Sequence, residues 1–382
     1  MSDFLAAGRA PRWPDRSASV IKDLSHRLQA ALLLFIVLGL AATGMAGCAS
    51  AGIESGVFII DTTDGAVELI GEPAGIPVWS PKDDMLAWGN EDGLFIRGLH
   101  EPAVRQVAAG SVAGIPAWSP DGKKLAYVDR NRSSLVVIVA ASGAEQFSQP
   151  LDRQRGTGTR FALLTLGGPS WAPDGSRIAY ACWDGAGDEI CVIQADGTNW
   201  RQVTRLKRRQ QDSGSATPQL LPAESNVGPP AWSPRGNYLA VAVYPERPGA
   251  PSGVFLVEPE VGLARRVSSL QPDSVISWFP DGGSILFSAF RQGRSDAIRV
   301  VLPTTSMQTL TAGLPQGSRN PALSPDGSQI AVETGGGIAV LSKQEPVQGF
   351  SVPGLRSSYP AWGNEGTSIA VSADTDPIAI YN

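Results

Sequence analysis

The chain has 382 residues, 42% of them hydrophobic, with 43 glycines, 30 prolines and a formal net charge of −5 at pH 7. That much apolar material builds a large core, while the abundance of helix breakers favours turns over helices. The acidic balance argues against nucleic acid as a generic partner, and with only His26, His100 and three cysteines zinc sites of ordinary ligand spacing are excluded.

Residues 1–27 are polar, with Arg9, Arg12, Arg16, Lys22 and Arg27 set against Asp3, Asp15 and Asp23. Residues 30–47 are then almost wholly apolar. A basic front, an apolar run and small residues at its end make an export signal, and the run is just long enough to cross a bilayer as a helix. Cys48 follows at once, in Met45-Ala46-Gly47-Cys48. This resembles a bacterial lipobox, which implies cleavage before Cys48 and lipid attachment to its thiol. On that reading 1–47 is a lipoprotein signal and 48–56 a tether, and the mature chain stands on the extracytoplasmic side of a membrane, in the periplasm or at the cell surface. An uncleaved membrane anchor and the leader of an ordinary secreted protein are the other readings. Cleavage also removes His26, so a Ser-His-Asp triad would rest on His100 alone, in a polar turn suited to solvation.

Beyond residue 57 one phrase organises the chain. Trp79, Trp118, Trp171, Trp232, Trp278 and Trp362 each head a copy of Trp-Ser-Pro-Asp-Gly or a near variant, and Leu323-Ser324-Pro325-Asp326-Gly327 is a seventh copy with Leu for Trp. The spacing of roughly forty to sixty residues belongs to radial or stacked repeat architectures. After each phrase comes an apolar run such as Leu239-Ala240-Val241-Ala242-Val243, then a Gly- or Asp-rich break and a second run such as Leu135-Val136-Val137-Ile138. Short β-branched runs between Asp-Gly and Pro-Asp turns predict antiparallel hairpins. The unit is therefore a four-stranded blade: Trp wedges between sheets, and Pro with Asp-Gly supplies the turn. The fold expected is all-β, a seven-bladed propeller over 57–382 preceded by the apolar signal or anchor helix. Runs at 57–60 and 66–70 join those at 368–372 and 378–381 in one shared closing blade, with one strand more than seven blades require.

The pattern Trp-Ser-Pro-Asp-Gly, Ile/Leu-Ala-Tyr/Val, Ile-x-Val and Asp-Gly-Thr-x-x-x-Gln-Val-Thr, best seen from Ser170 to Thr204, resembles the TolB-type, WD40-like propeller repeat. TolB proteins carry a separate α/β domain ahead of the propeller, and the stretch before residue 57 is too short for one. Relatives among the prolyl oligopeptidases carry an α/β-hydrolase domain, which is likewise not expected here. The resemblance therefore implies the fold and little of an activity.

Cys182 and Cys191 bracket a hairpin in the third blade. They either face each other across the strands as a disulfide, which an exported location permits, or fill the blade as free thiols. Two connections from an outer strand to the next inner strand are long and basic, one with Arg153, Arg155 and Arg160, the other with Arg205, Lys207, Arg208 and Arg209. Long insertions in compact folds are functional or disordered. A positive rim for an acidic envelope protein or polymer is one reading, a solvated charge run the other. Residues 61–64 and 184–188 are Asp-rich but lack the rhythm of a calcium loop, and Gly335-Gly336-Gly337 reads as a hairpin turn. No metal site, cofactor or catalytic constellation is expected. A monomeric, lipid-anchored interaction module of the cell envelope is the functional expectation, and an enzyme (hydrolase or lyase) acting on an exported sugar or peptide at the funnel is the alternative. Asp, Glu, Arg and Tyr with perturbed acidity at the funnel mouth would favour the latter.

Overall fold

The computed structural model describes residues 55–151, 168–183, 188–204, 225–245, 252–314, 317–335, 337–342 and 347–375. They form seven antiparallel sheets. In blades 1 to 6, strands A to D run outward in chain order, and the A strands or their immediate neighbours touch from one blade to the next around the whole ring. Blade 1 begins with Ile76–Trp79, blade 2 with Val112–Trp118, blade 3 with Ser170–Trp171 and blade 4 with Ser225–Val227 plus Ala231–Trp232. Blades 5 and 6 begin with Ser277–Trp278 and Ser318–Leu323. Blade 7 is shared. Arg356–Trp362 and Ser368–Asp374 supply its A and B strands, and Ser55–Asp61 and Val67–Gly71 its C and D strands. The pairing Ser55↔Asp374 through Asp61↔Ser368 closes the ring and leaves no open sheet edge between blades. The first strand thus reaches back to Ser55, two residues into the expected tether. The surplus run at 378–381 and the apolar segment at 30–47 lie outside the described residues.

The apolar runs alternate in size rather than polarity. Leu239 to Val243 of blade 4 are all buried. The small Ala240 and Ala242 lie against Ile285 and Phe287 of blade 5, while Leu239, Val241 and Val243 pack on Ala179, Ile190 and Val192 of blade 3. A blade covered on both faces has no polar side to show. The core is accordingly a set of layers between blades.

The repeated phrase does what its chemistry suggests. Six indoles each donate to the carbonyl just before the corresponding residue of the preceding blade: Trp118 to Val78, Trp171 to Ala117, Trp232 to Ser170, Trp278 to Ala231, Trp362 to Ala322 and Trp79 to Ala361, all at 3.0–3.2 Å. Leu323 has no such donor. There the blade 5 phrase carries Phe279 where others have Ser, Ala or Gly, and Phe279 shares a buried cluster with Leu323, replacing volume lost with the indole. In the turns Asp121 and Asp326 each accept from a Ser hydroxyl two residues back (Ser119, Ser324) and a backbone N–H two residues on (Lys123, Ser328). Gly122, Gly175, Gly236, Gly282, Gly327 and Gly366 hold φ of +68° to +72°, a region open to glycine.

Candidate binding site on the funnel face

Antiparallel blades place the A–B and C–D turns on one face of the ring and the B–C and D–A connections on the other. The Trp-Ser-Pro-Asp-Gly turns occupy the first face. On the second, a cavity of about 490 Å³ opens across blades 5, 6 and 7, lined by Phe290, Arg294, Ser295, Arg319, Glu333 and Leu355 to Ser358, with the backbone of Gly293, Gly317, Gly335 and Gly337. Thr334 pairs with Gly337 across the hairpin that the sequence suggests, and Gly335 and Gly337 also wall this cavity.

Two bulges shape the site. The A strands of blades 6 and 7 each carry one residue too many opposite their B strands, between Arg319 and Ala322 and between Ser358 and Ala361. The extra residues are Asn320 (φ 47°) and Tyr359 (φ 52°). Asn tolerates this left-handed conformation, but for bulky Tyr it is an outlier that surrounding contacts must hold. Glu333 anchors both: its carboxylate accepts from the Asn320 amide at 2.8 Å and from the Tyr359 N–H. Burial pushes the Glu333 pKa above the usual carboxylate range, and Asp273 adds to the rise. The Asn320 and Tyr359 bonds and the Arg319 charge oppose it.

Behind the cavity wall, Asp273 accepts hydroxyls from Ser288 and Ser295. Tyr244 donates to the Pro272 carbonyl at 2.9 Å, and burial, helped by Asp273, pushes its phenol up to about 12. Arg294 is fully committed, donating to Asp296, Thr311 O and Leu314 O, while Thr311 bridges Asp296 to Ser318. Arg319 and Arg356 are exposed. Arg319 lies opposite Glu333 and Arg356 opposite Asp374 in strand register. Phe290, at the B–C turn of blade 5, is 64% exposed.

Of the sites expected from sequence, Cys48, Arg153, Arg155, Arg160, Arg205, Lys207, Arg208 and Arg209 lie outside the described residues. Both basic connections leave and rejoin the fold on the funnel face, through Leu151 and Gly168 and through Thr204 and Ser225. Cys182 and Cys191 have their sulfurs in bonding contact, with Cα atoms 5.9 Å apart. They are a diagonal pair, not a directly opposed one, because Cys182 pairs with Glu189 and Tyr180 with Cys191. His100 is exposed in the C–D turn of blade 1, on the face away from the cavity. The Asp61 carboxylate is taken by its own turn, accepting from the Thr63 N–H and hydroxyl. Among the described residues no three His, Cys, Asp or Glu side chains group as metal ligands, and no helix is long and apolar enough to cross a membrane.

Sequence reasoning passed over Phe290, Arg319, Glu333 and Arg356. A signal for one existed. Pro stands two residues before the phrase's first residue in six blades (Pro77, Pro116, Pro169, Pro230, Pro321 and Pro360). The two positions ahead of it are Gly-Ile in blades 1 and 2 but Arg319-Asn320 in blade 6.

No family model matches the sequence, and no curated protein matches it. Among solved structures the chain is similar to an oligogalacturonate lyase in complex with manganese (12% identity, 86% of this chain and 98% of that one, TM-score 0.56). It is similar also to the Cps50 (Swd1) β-propeller domain of Myceliophteria thermophila (12% identity, 78% and 96%, TM-score 0.55). A putative TolB from Agrobacterium tumefaciens aligns at 15% identity over 84% and 98%, with a TM-score of 0.49. At such identities the likeness is one of fold, and propellers host unrelated activities.

Proposed function

We propose that this propeller is a lipid-anchored, extracytoplasmic interaction module of the bacterial cell envelope that binds a partner protein through its funnel face. The observation that carries the reading is the cavity across blades 5 to 7, with exposed Phe290 at its edge. An exposed aromatic beside arginines is the composition of a protein-binding patch. The lipobox-like segment ending at Cys48 and the resemblance of the repeats to the TolB type support the envelope location. The test has two arms. Radioactive fatty acid supplied to growing cells labels the chain, and Cys48→Ala abolishes the label. Crosslinking of the tagged full chain in intact cells, followed by mass spectrometry, captures a defined envelope protein. Labelling that persists in Cys48→Ala overturns the anchor, and capture of no protein overturns the module.

A second reading, a hydrolase or lyase at the same cavity, is favoured by the raised pKa of Glu333, since a general acid needs such tuning. Glycoside hydrolysis uses two carboxyl groups, and Glu333 is the sole carboxylate among the described lining residues. It is also tied to Asn320 and Tyr359. Binding accounts for the site with fewer parts.

A further inference from the structure

We propose that the cavity over blades 5 to 7 is a carboxylate-recognition site for an acidic peptide segment, in which Arg319 and Arg356 grip the carboxylate and Phe290 with Leu355 covers an adjoining apolar side chain. This rests on the reading of the funnel face as the partner-binding face, and names the chemistry recognised there.

Among the described residues, ion pairs hold Arg97, Arg105, Arg132, Arg177, Arg201 and Arg294. Arg319 and Arg356 are not among them, nor are Arg130, Arg235, Arg265, Arg266 and Arg291, but Arg319 and Arg356 both line this cavity. Their cross-strand neighbours, Glu333 and Asp374, compete weakly. Glu333 spends its carboxylate on Asn320 and Tyr359, and its burial disfavours the ionised form. Asp374 is half-buried and accepts from the Thr375 hydroxyl, and a cross-strand pair with the exposed Arg356 contributes little. Two uncommitted guanidinium forks at one cavity match a carboxylate in geometry and charge, each able to donate two parallel N–H bonds. The volume, about 490 Å³, lies within the range of roughly 300–1,000 Å³ that takes a drug-sized ligand.

The lining favours a peptide over an acidic sugar. A sugar presents many hydroxyls, which need acceptors as well as donors. The polar lining side chains other than the arginines each already hold a partner: Ser295 donates to Asp273, Thr334 to Gly337 O and Ser358 to Ser372 O, Ser357 accepts from the Val352 N–H, and Glu333 is bound as above. The described lining side chains with no partner of their own are two cations and two apolar groups, Arg319 and Arg356 beside Phe290 and Leu355, the pattern that an acidic side chain or chain terminus beside Leu or Phe would complement.

The test is fluorescence anisotropy with the full chain in non-ionic detergent. The probe is a rhodamine-labelled Ala-Glu-Leu-Glu peptide with a free carboxyl terminus, its control the amidated Ala-Gln-Leu-Gln, and its competitor an oligogalacturonate. The acidic probe binds, more weakly as salt rises. Arg319→Gln with Arg356→Gln weakens it about tenfold or more while the melting temperature stays unchanged. Unchanged affinity in the double variant, equal binding of the uncharged peptide, or binding of oligogalacturonate without the peptide overturns the proposal. If the arginines prove irrelevant while a partner is still captured in intact cells, the carboxylate site falls and the module reading stands.

Discussion

The two faces of this ring are built on opposite rules. On the turn face one phrase repeats, its indoles hydrogen-bonded from blade to blade, its Asp side chains closed into their own turns, and cations such as Arg177 and Arg201 shared on Glu260. On the funnel face repetition lapses. A-strand bulges, found also in blade 2, hold left-handed Asn320 and Tyr359 in blades 6 and 7, a half-buried carboxylate bonds to both, and Arg319 and Arg356 line one cavity. A side chain that recurs at one position in every blade serves the ring. One that departs from the pattern at the funnel serves something unique. Four perturbations sharpen or break that contrast.

The largest effect belongs to the turn face. Trp171→Ala removes a buried indole and its bond to Ala117 O, and is expected to cost about 3–5 kcal/mol. Arg319→Gln on the other face is expected to stay within about ±0.5 kcal/mol. Chemical denaturation of both variants checks the split. Equal losses would erase the distinction between faces.

Next is the third blade's hairpin. Cys182→Ser is expected to cost about 2–3 kcal/mol, and the unreduced wild-type chain to be two hydrogens lighter than the reduced one by mass spectrometry. Two free thiols in the unreduced protein would contradict the bond.

The exception in the ring gives the third. Leu323→Trp alone overpacks the space held by Phe279 and is expected to cost about 1–3 kcal/mol. Adding Phe279→Ser makes room for the seventh indole, and the pair is expected to recover part of that loss in a double-mutant cycle. Additive losses would mean that the two positions do not exchange volume.

The smallest effect is in pH dependence, where the faces have opposite signs. The Ser324 hydroxyl, with the Ser328 hydroxyl and N–H, holds Asp326 down to about 2. Its contribution is present above the unfolded value of 3.8 and is lost as pH falls toward 2. Glu333 is raised by burial, so its contribution is full below the unfolded value of 4.5 and is lost as pH rises through the folded value. Asp326→Asn should flatten the acid limb of the stability curve, and Glu333→Gln the decline above pH 4.5. Swapped limbs would refute the assignment.

The ring was legible because Trp, Pro and Asp-Gly act locally: each turn closes within its own phrase, and seven phrases imply seven wedges. The shared closing blade was legible too, from leftover strands at 57–70 and 368–372. The register of Cys182 was not, because the hairpin connection decides whether the partner across the strand is Glu189 or Cys191. The cavity was less legible still. Phe290, Arg319, Glu333 and Arg356 come from three blades and meet only through bulges whose left-handed residues, Asn320 and Tyr359, have no glycine to announce them. The basic connections drew notice because charge runs are visible in one dimension, whereas two arginines far apart in sequence are not.

The most direct measurement of the division between faces is site-specific photocrosslinking in intact cells, with benzoylphenylalanine placed at Phe290 on the funnel face and, separately, at exposed Lys82 in a turn on the other. A discrete protein adduct from position 290 and none from position 82 is the expected outcome. The same adduct from both, or an adduct from position 82 alone, would contradict it.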